Sequence, residues 1–420
     1  SEFLGYSVDK IQAKINDIVI DGKIVDKANI GDKAIIIFNQ TPFYSESGGQ
    51  VSDRGIIYYS GGKARVINVK KQNSLILHYC EIKEGFFEKN SFCNLEIDLN
   101  FRFNVSANHS ATHLLHEALR IVLGNHVSQK GSLNDKEKIR FDFSNSEALN
   151  NEQILSVEKI VNSVIRENVQ IITKNMSLQD ALDSGSRALF GEKYDDEVRV
   201  VRVESIKNHK FLSSELCGGT HLKSTGEIGF FKVFSETASS SGVRRIEAYT
   251  GDNALEYVSK LENQLYLSSE FLKINPNMVY DRIKSLIEEK KDLTSKINKL
   301  EKDILNSDNS TNNNFIIENI NNVSFFSLVL KNVSNKELRT LLDNQKTKYQ
   351  EKSIFVIFSI FDEKIIIISG ITNDLIQHFS AVDIVKTISF ETGGKGGGGR
   401  PDMAQAGGID SSKIEKAIKI

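Results

Sequence analysis

Two short segments carry the side chains best suited to chemistry. His109-Ser110-Ala111-Thr112-His113 and, about a hundred residues later, Cys217-Gly218-Gly219-Thr220-His221 each set two metal-binding side chains four residues apart. On a helix, residues at i and i+4 share a face. Two imidazoles from one helix, with a thiolate and an imidazole from a second segment, would complete a tetrahedral zinc site. Either half alone is as well read as a packed or surface pair. Their joint occurrence, in a chain with only eight His and three Cys, makes zinc the reading. His116 falls on the same helical stripe, as a competing ligand or a core histidine.

Four protein ligands fill a zinc shell, which is the usual state of a structural site. A hydrolase could still use such an ion if one ligand yielded, or if the ion positioned a substrate group while another residue handled the water. The motif is not HExxH: Ser110 stands where a zinc protease keeps its general-base glutamate. That disfavours peptidase chemistry and leaves an activated ester, which needs less help from a general acid.

The elements that must position these residues fall into four stretches of an α+β chain. Over 1–100, short β-branched runs (16–20, 34–38, 55–59, 63–69, 74–79 and 93–98) alternate with turn residues, as in a small antiparallel barrel. Its rhythm breaks at the segment 41–50, where Gly48 and Gly49 allow a tight loop with Gln50 at its tip. Over 101–250 an α+β core is expected. It holds a histidine helix opening at Ser106 or Asn108 and stopped by Gly124, a polar segment with Gln129 and Ser132, a strand at 138–143, and an amphipathic helix at 150–167. A further helix at 178–189 and strands at 197–203, 229–234 and 243–249 complete it.

Over 251–314, Ile283, Lys290, Ile297 and Ile304, each followed three residues on by Leu286, Leu293 or Leu300 in the first three cases, form an a/d seam about three heptads long. It suits an antiparallel helical hairpin or an intermolecular coiled coil, and the polar run 306–314 reads as a spacer. A last α/β globular stretch, 315–420, carries a hairpin turning at Asp362-Glu363, a helix from Asp374 to Phe390, and the run Gly393-Gly394-Lys395-Gly396-Gly397-Gly398-Gly399-Arg400. Such a run can offer backbone N–H groups with Lys395 and Arg400 to phosphate. No Gly-Lys-Ser/Thr ends it, so it is not a P-loop. With 13 Lys and Arg against 12 Asp and Glu over 315–420, any phosphate contact there must be local.

Bulk properties bound the rest. A formal charge of −2, from 53 basic and 55 acidic residues in 420, excludes a globally basic nucleic-acid coat but leaves local basic faces open. The longest apolar runs are strand-length, so no membrane span is expected. Cys80, Cys93 and Cys217 are an odd set in a long chain, which argues for a reducing cytosol rather than a disulfide framework. A chain opening at Ser1 rather than Met reads as part of something longer.

The segments HSATHLLH (109–116), HVSQKGSL (126–133), RFDFS (140–144), ALFGEKYDDEVRV (188–200), SELCGGTH (214–221) and GVRRIEA (242–248) closely resemble the editing domain of bacterial alanyl-tRNA synthetases. TPFYSESGGQVSD (41–53) resembles that domain's barrel loop, and GGKGGGGRPDMAQAGG (393–408) the family's C-terminal globular domain. The resemblance implies one Zn2+ held by His109, His113, Cys217 and His221, where Ser-tRNA(Ala) and Gly-tRNA(Ala) are deacylated. It places Gln129 and Thr112 where the amino acid is read, Arg244 and Arg245 near the site, and the Gly48-Gly49-Gln50 loop toward the acceptor end. It implies tRNA(Ala) binding through the Gly-rich domain and a homodimer through the helices. The ATP- and Mg2+-dependent aminoacylation domain would precede Ser1, and no class II synthetase signature is apparent in these residues. Upstream arginines usual in the family reduce here to Arg102, which leaves that phosphate contact open. Freestanding AlaX-type deacylases share the zinc motif, and a non-catalytic tRNA-binding scaffold is the reading from another class.

Overall fold

The computed structural model describes residues 1–188, 194–207, 211–307, 315–361 and 364–419. The polar run through 308–314, the turn at Asp362-Glu363 and part of the 188–200 motif lie outside the described residues. The chain divides into two compact units, Ser1–Val279 and Tyr280–Ile420.

In the first unit, six antiparallel strands close on themselves. Phe92–Ile97, Gly55–Tyr59, Gly62–Gln72, Leu75–Glu88, Lys33–Phe38 and Lys10–Ile20 pair in that order, and Lys10–Ile20 returns to pair with Phe92–Ile97. Closure leaves no open edge within this ring. Alternation along the strands sends Ile15, Ile36, Phe38, Ile57, Val66 and Leu95 inward with Cys80 and Cys93. Both of these thiols are free, and burial pushes Cys93 up to about 12.

The barrel feeds into helix α1, Leu99–Leu123, whose first turn is capped by Asp98 accepting from Phe101 N–H. It opens earlier than Ser106 or Asn108 would have placed it, because those polar side chains serve as buried partners. Ser106 Oγ meets Thr220 Oγ1 at 2.8 Å, and Asn108 Nδ2 donates to Asp135 O at 2.7 Å. The helix α1 is buried from Val105 through Leu119, so polar groups on it must find partners inside the protein. Helix α2, Asn151–Glu167, has the capping box Asn150/Gln153 and packs beside α1.

A four-stranded sheet, Gln129–Asn134, Ile139–Ser144, Val243–Thr250 and Phe231–Ser240, lies against these helices. A three-stranded sheet, Ile172–Ser177, Glu197–Glu204 and Leu212–Leu216, carries the chain into Cys217. The segment around Gln129, read as a polar connection, is thus a strand. The helix expected at 178–189 is only Leu178–Asp183, ending before Gly185 in positive φ.

In the second unit, the heptad segment is one helix, Val279–Ser307, and a six-stranded mixed sheet follows. Ser353–Phe361 buries both faces: Ile354, Val356 and Phe358 enter one core, Phe355 and Ile357 the other. The helix expected from Asp374 begins only at Ala381, after a short 3-10 turn at Asn373–Leu375. Half of the Gly-rich run is strand rather than open loop: Gly397–Arg400 pairs antiparallel with Met403–Gly408. A Cβ at Gly397 or Gly399 would collide with that neighbouring strand, which is the requirement for glycine there. Among the described residues, no helix is long and apolar enough to cross a membrane.

Candidate metal centre

The i, i+4 spacing on α1 stacks the His109 and His113 rings with centroids 5.3 Å apart and planes 12° from parallel. The turn after Leu212–Leu216 brings Cys217 and His221 over them. One donor atom from each of His109, His113, Cys217 and His221 lies within 4.8 Å of the others. Cys217 Sγ is 3.3 Å from His109 Nε2 and 3.3 Å from His221 Nε2. Zinc–ligand distances place sulfur and nitrogen of one tetrahedron ~3.5 Å apart, close to this spacing.

The second contact of each imidazole fixes which nitrogen faces the centre. His109 Nδ1 donates to Gln50 Oε1 at 2.7 Å and His113 Nδ1 to Glu215 Oε2 at 2.5 Å, while His221 Nδ1 lies 3.3 Å from Ser110 Oγ, a hydroxyl able to accept its proton. With Nδ1 protonated on all three, each Nε2 is left as a lone-pair donor. His113 Nε2 is buried without a hydrogen-bond partner in the protein, as expected of an atom whose partner is an ion. Gly219 is required by close approach, since a Cβ there would overlap the His109 ring. Three imidazoles, one sulfur and their oriented tautomers fit a zinc ion.

Electrostatics agree with a thiolate. Burial opposes charge on Cys217, but protonated His109, His221 and His113 outweigh it and hold the thiol well below its usual range, a part that falls to a bound cation once these imidazoles are neutral ligands. Burial likewise opposes charge on Glu215, and His116 and His113 hold that carboxyl well below the ordinary range. His116 Nδ1 donates to Glu215 Oε1 at 2.7 Å, so His116 buttresses the carboxylate. Arg187 Nη2 reaches the same oxygen at 3.1 Å and Glu117 at 2.7 Å. The Glu215 network was hidden in the sequence, although the residue lies two positions from Cys217 within SELC.

Three of the four donor residues, His109, His113 and Cys217, line a cavity of about 320 Å3, which Gln129, Thr112, Ser132 and Gly48 also line.

Comparison with known proteins fits this architecture. The family model for class II (A) tRNA synthetases matches residues 1–101, the threonyl and alanyl tRNA synthetase second additional domain matches 198–247, and the DHHA1 domain matches 322–420. The first match lies over residues in which no class II synthetase signature is apparent from the sequence alone. Alanine–tRNA ligases of Ruegeria sp. (strain TM1040) and Sinorhizobium medicae (strain WSM419) are 44% and 41% identical over all of this chain. The chain belongs to the alanine–tRNA ligase family.

It spans about half, 48%, of those relatives' length. A crystal structure of the C-Ala domain from Aquifex aeolicus alanyl-tRNA synthetase is 29% identical, covering 24% of this chain and 91% of that one at a TM-score of 0.24.

Several residues singled out by resemblance to this ligase family sit differently from expectation. Gln50 is not at an exposed loop tip. It is buried, its Oε1 accepting from His109 and from Thr220 N–H and its Nε2 donating to Thr220 Oγ1, so it braces a metal-facing histidine. Gly49 packs on Ser132, leaving Gly48 as the member of the trio that lines the cavity.

Arg244 and Arg245 do not line it either. Arg244 holds Glu236 through two bonds of 2.6 Å, and Arg245 holds Asp142 at 2.6 and 2.9 Å. Arg102 is likewise buried and paired with Asp53, which removes it as a phosphate contact. Lys395 and Arg400 belong to the second unit, where Arg400 is exposed and 3.2 Å from Asp402.

Thr112 Oγ1 lies 2.9 Å from Asn108 O and 2.6 Å from the Asn134 side-chain oxygen, and a hydroxyl has one proton to give. Turning the Asn134 amide over lets its buried Nδ2 donate to Thr112, satisfying both groups. Thr112 can then accept from a substrate hydroxyl but not donate to it.

Proposed function

We propose that this chain is the editing and tRNA-binding half of an alanyl-tRNA synthetase, hydrolysing Ser-tRNA(Ala) and Gly-tRNA(Ala) at the four-donor centre. The observation that carries this reading is the His109, His113, Cys217 and His221 cluster, three of whose members, His109, His113 and Cys217, line one cavity with Gln129 and Thr112. A pocket shaped for alanine rejects serine or glycine weakly, since one small group discriminates by about 1–3 kcal/mol, so a second hydrolytic sieve is needed.

Zinc, when bound, supplies a fixed positive charge that ties the two segments together and attracts a lone pair of the aminoacyl end. Gln50, Glu215 and Ser110 orient the three imidazoles. Thr112 offers an acceptor, and Gln129 an amide, to the serine hydroxyl that alanine lacks. The tRNA body is assigned to the Gly-rich C-terminal unit with Lys395 and Arg400. Homodimerisation is assigned to the helices, whose seam leaves Ile283, Leu286, Leu293, Ile297 and Leu300 exposed. Attachment of alanine with ATP and Mg2+ belongs to the longer relatives' remaining half.

The test is release of serine from Ser-tRNA(Ala) by the purified chain, with metal content measured in parallel. Release no faster than the spontaneous rate, with Cys217→Ala affecting stability alone, would favour the second reading. That reading is a non-catalytic tRNA-binding scaffold, and the full complement of four protein donors speaks for it.

A further inference from the structure

The cavity extends well past the four donors, and its far part has the chemistry of a nucleoside subsite. Tyr6 lines the cavity with 51% of its surface exposed. The Arg199 guanidinium lies 4.4 Å from the centre of its ring. Arg199 is itself fixed, donating from Nη1 to Cys217 O at 3.0 Å and Gly219 O at 2.8 Å, and the Tyr6 hydroxyl donates to Gly218 O. The ring is thus pinned to the turn that carries the metal-facing thiol. An immobilised aromatic backed by a cation and open to a cavity is the arrangement on which nucleobases stack. Among the described residues lining this cavity, Lys71, exposed, is the only Lys or Arg.

We propose that Tyr6, backed by Arg199, is the stacking platform for the 3′-terminal base of the aminoacyl-tRNA, and that Lys71 meets the adjoining phosphate. The proposal rests on the deacylase reading above and adds to it the part of the substrate that is not amino acid. A cavity of about 320 Å3 suits one aminoacylated nucleoside and not a folded stem. Because Tyr6 and the thiol share the Cys217–Gly219 turn, a base seated on the ring sets the ester beside the donors.

The experiment uses an acceptor-stem minihelix ending in 2-aminopurine, whose fluorescence is quenched by stacking. The chain has no Trp to interfere. Quenching is expected on binding to the wild-type chain and to Tyr6→Phe. Tyr6→Ala should bind about 5- to 150-fold more weakly and lose the quenching, with metal content unchanged. Lys71→Met should weaken binding and flatten its salt dependence while keeping the quenching.

Wild-type binding without quenching, or equal quenching by Tyr6→Ala, overturns the platform. Quenching that is present in a chain unable to deacylate Ser-tRNA(Ala) supports the platform and rejects the deacylase reading instead.

Discussion

Replacing Glu215 by Gln isolates the carboxylate that aligns the metal-facing side of α1. The carboxylate accepts from His113 Nδ1 at 2.5 Å and His116 Nδ1 at 2.7 Å, both inside the protein. An amide of the same shape keeps one acceptor and turns an NH2 toward the other N–H. One histidine must then change tautomer or lose its partner. If His113 moves its proton to Nε2, the atom that faces the centre can no longer ligate. Loss of an outer-shell partner lowers metal affinity about 10- to 100-fold, or roughly 1.4–2.7 kcal/mol.

The assay is zinc competition between the purified chain and a chelator of known affinity. Glu117→Gln is the control, because Glu117 shares Arg187 with Glu215 but forms an ion pair with neither histidine. Zinc affinity should hold in Glu117→Gln and fall in Glu215→Gln. Equal affinity in Glu215→Gln and wild type, with the fold intact by circular dichroism, would refute the tautomer argument.

Four further outcomes are expected. Gln129→Ala should slow serine release from Ser-tRNA(Ala) at least about tenfold while zinc content stays at wild type, the loss expected when a hydroxyl partner is removed; metal loss would show the role assignment wrong. Gly219→Ala must displace His109, so overpacking should cost about 1–3 kcal/mol by denaturant titration and release zinc to a weaker chelator.

Burial pushes His78 down to about 4 from 6.5. Its neutral ring donates from Nδ1 to Ile36 O and accepts at Nε2 from Thr41. Between those pH values the unfolded chain binds the proton and the folded one does not. Stability should therefore fall by about 3 kcal/mol from pH 6.5 to 4, and His78→Gln should lack that portion of the slope in urea melts. Arg245→Ala should lower the melting temperature by leaving Asp142 only the more distant Arg140, 3.8 Å away, yet leave tRNA affinity and its salt slope unchanged. A shallower slope would restore Arg245 as a phosphate contact.

Much of the scaffold was legible because it repeats a period. Short apolar runs at 34–38 and 55–59, set between turn residues, read as strands, and the structure has strands at Lys33–Phe38 and Gly55–Tyr59. The amphipathic spacing over 150–167 matches α2, whose start the structure caps with Asn150 and Gln153. Elements whose residues face other elements were misjudged. Ser106 and Asn108 look like caps in isolation but are interior partners of Thr220 and Asp135. Gly397–Arg400 lacks any strand-forming side chain, and only the neighbouring Met403–Gly408 strand makes it one.

For the candidate site, residue types and i, i+4 spacing singled out His109, His113, Cys217 and His221, whose donor atoms the fold brings within 4.8 Å of one another, because ligand chemistry and, on α1, helical geometry are local properties. Sequence could not assign the hydrogen bonds at each Nδ1, since Gln50 and Glu215 lie 59 and 102 residues from the histidines they hold. Nor could it tell a cation available to RNA from one neutralised by a carboxylate: Arg244 and Arg245 acquire Glu236 and Asp142 only when the sheet forms. Types and periods reside in the chain; tautomers and the availability of charge are decided by contacts that exist only after distant segments meet.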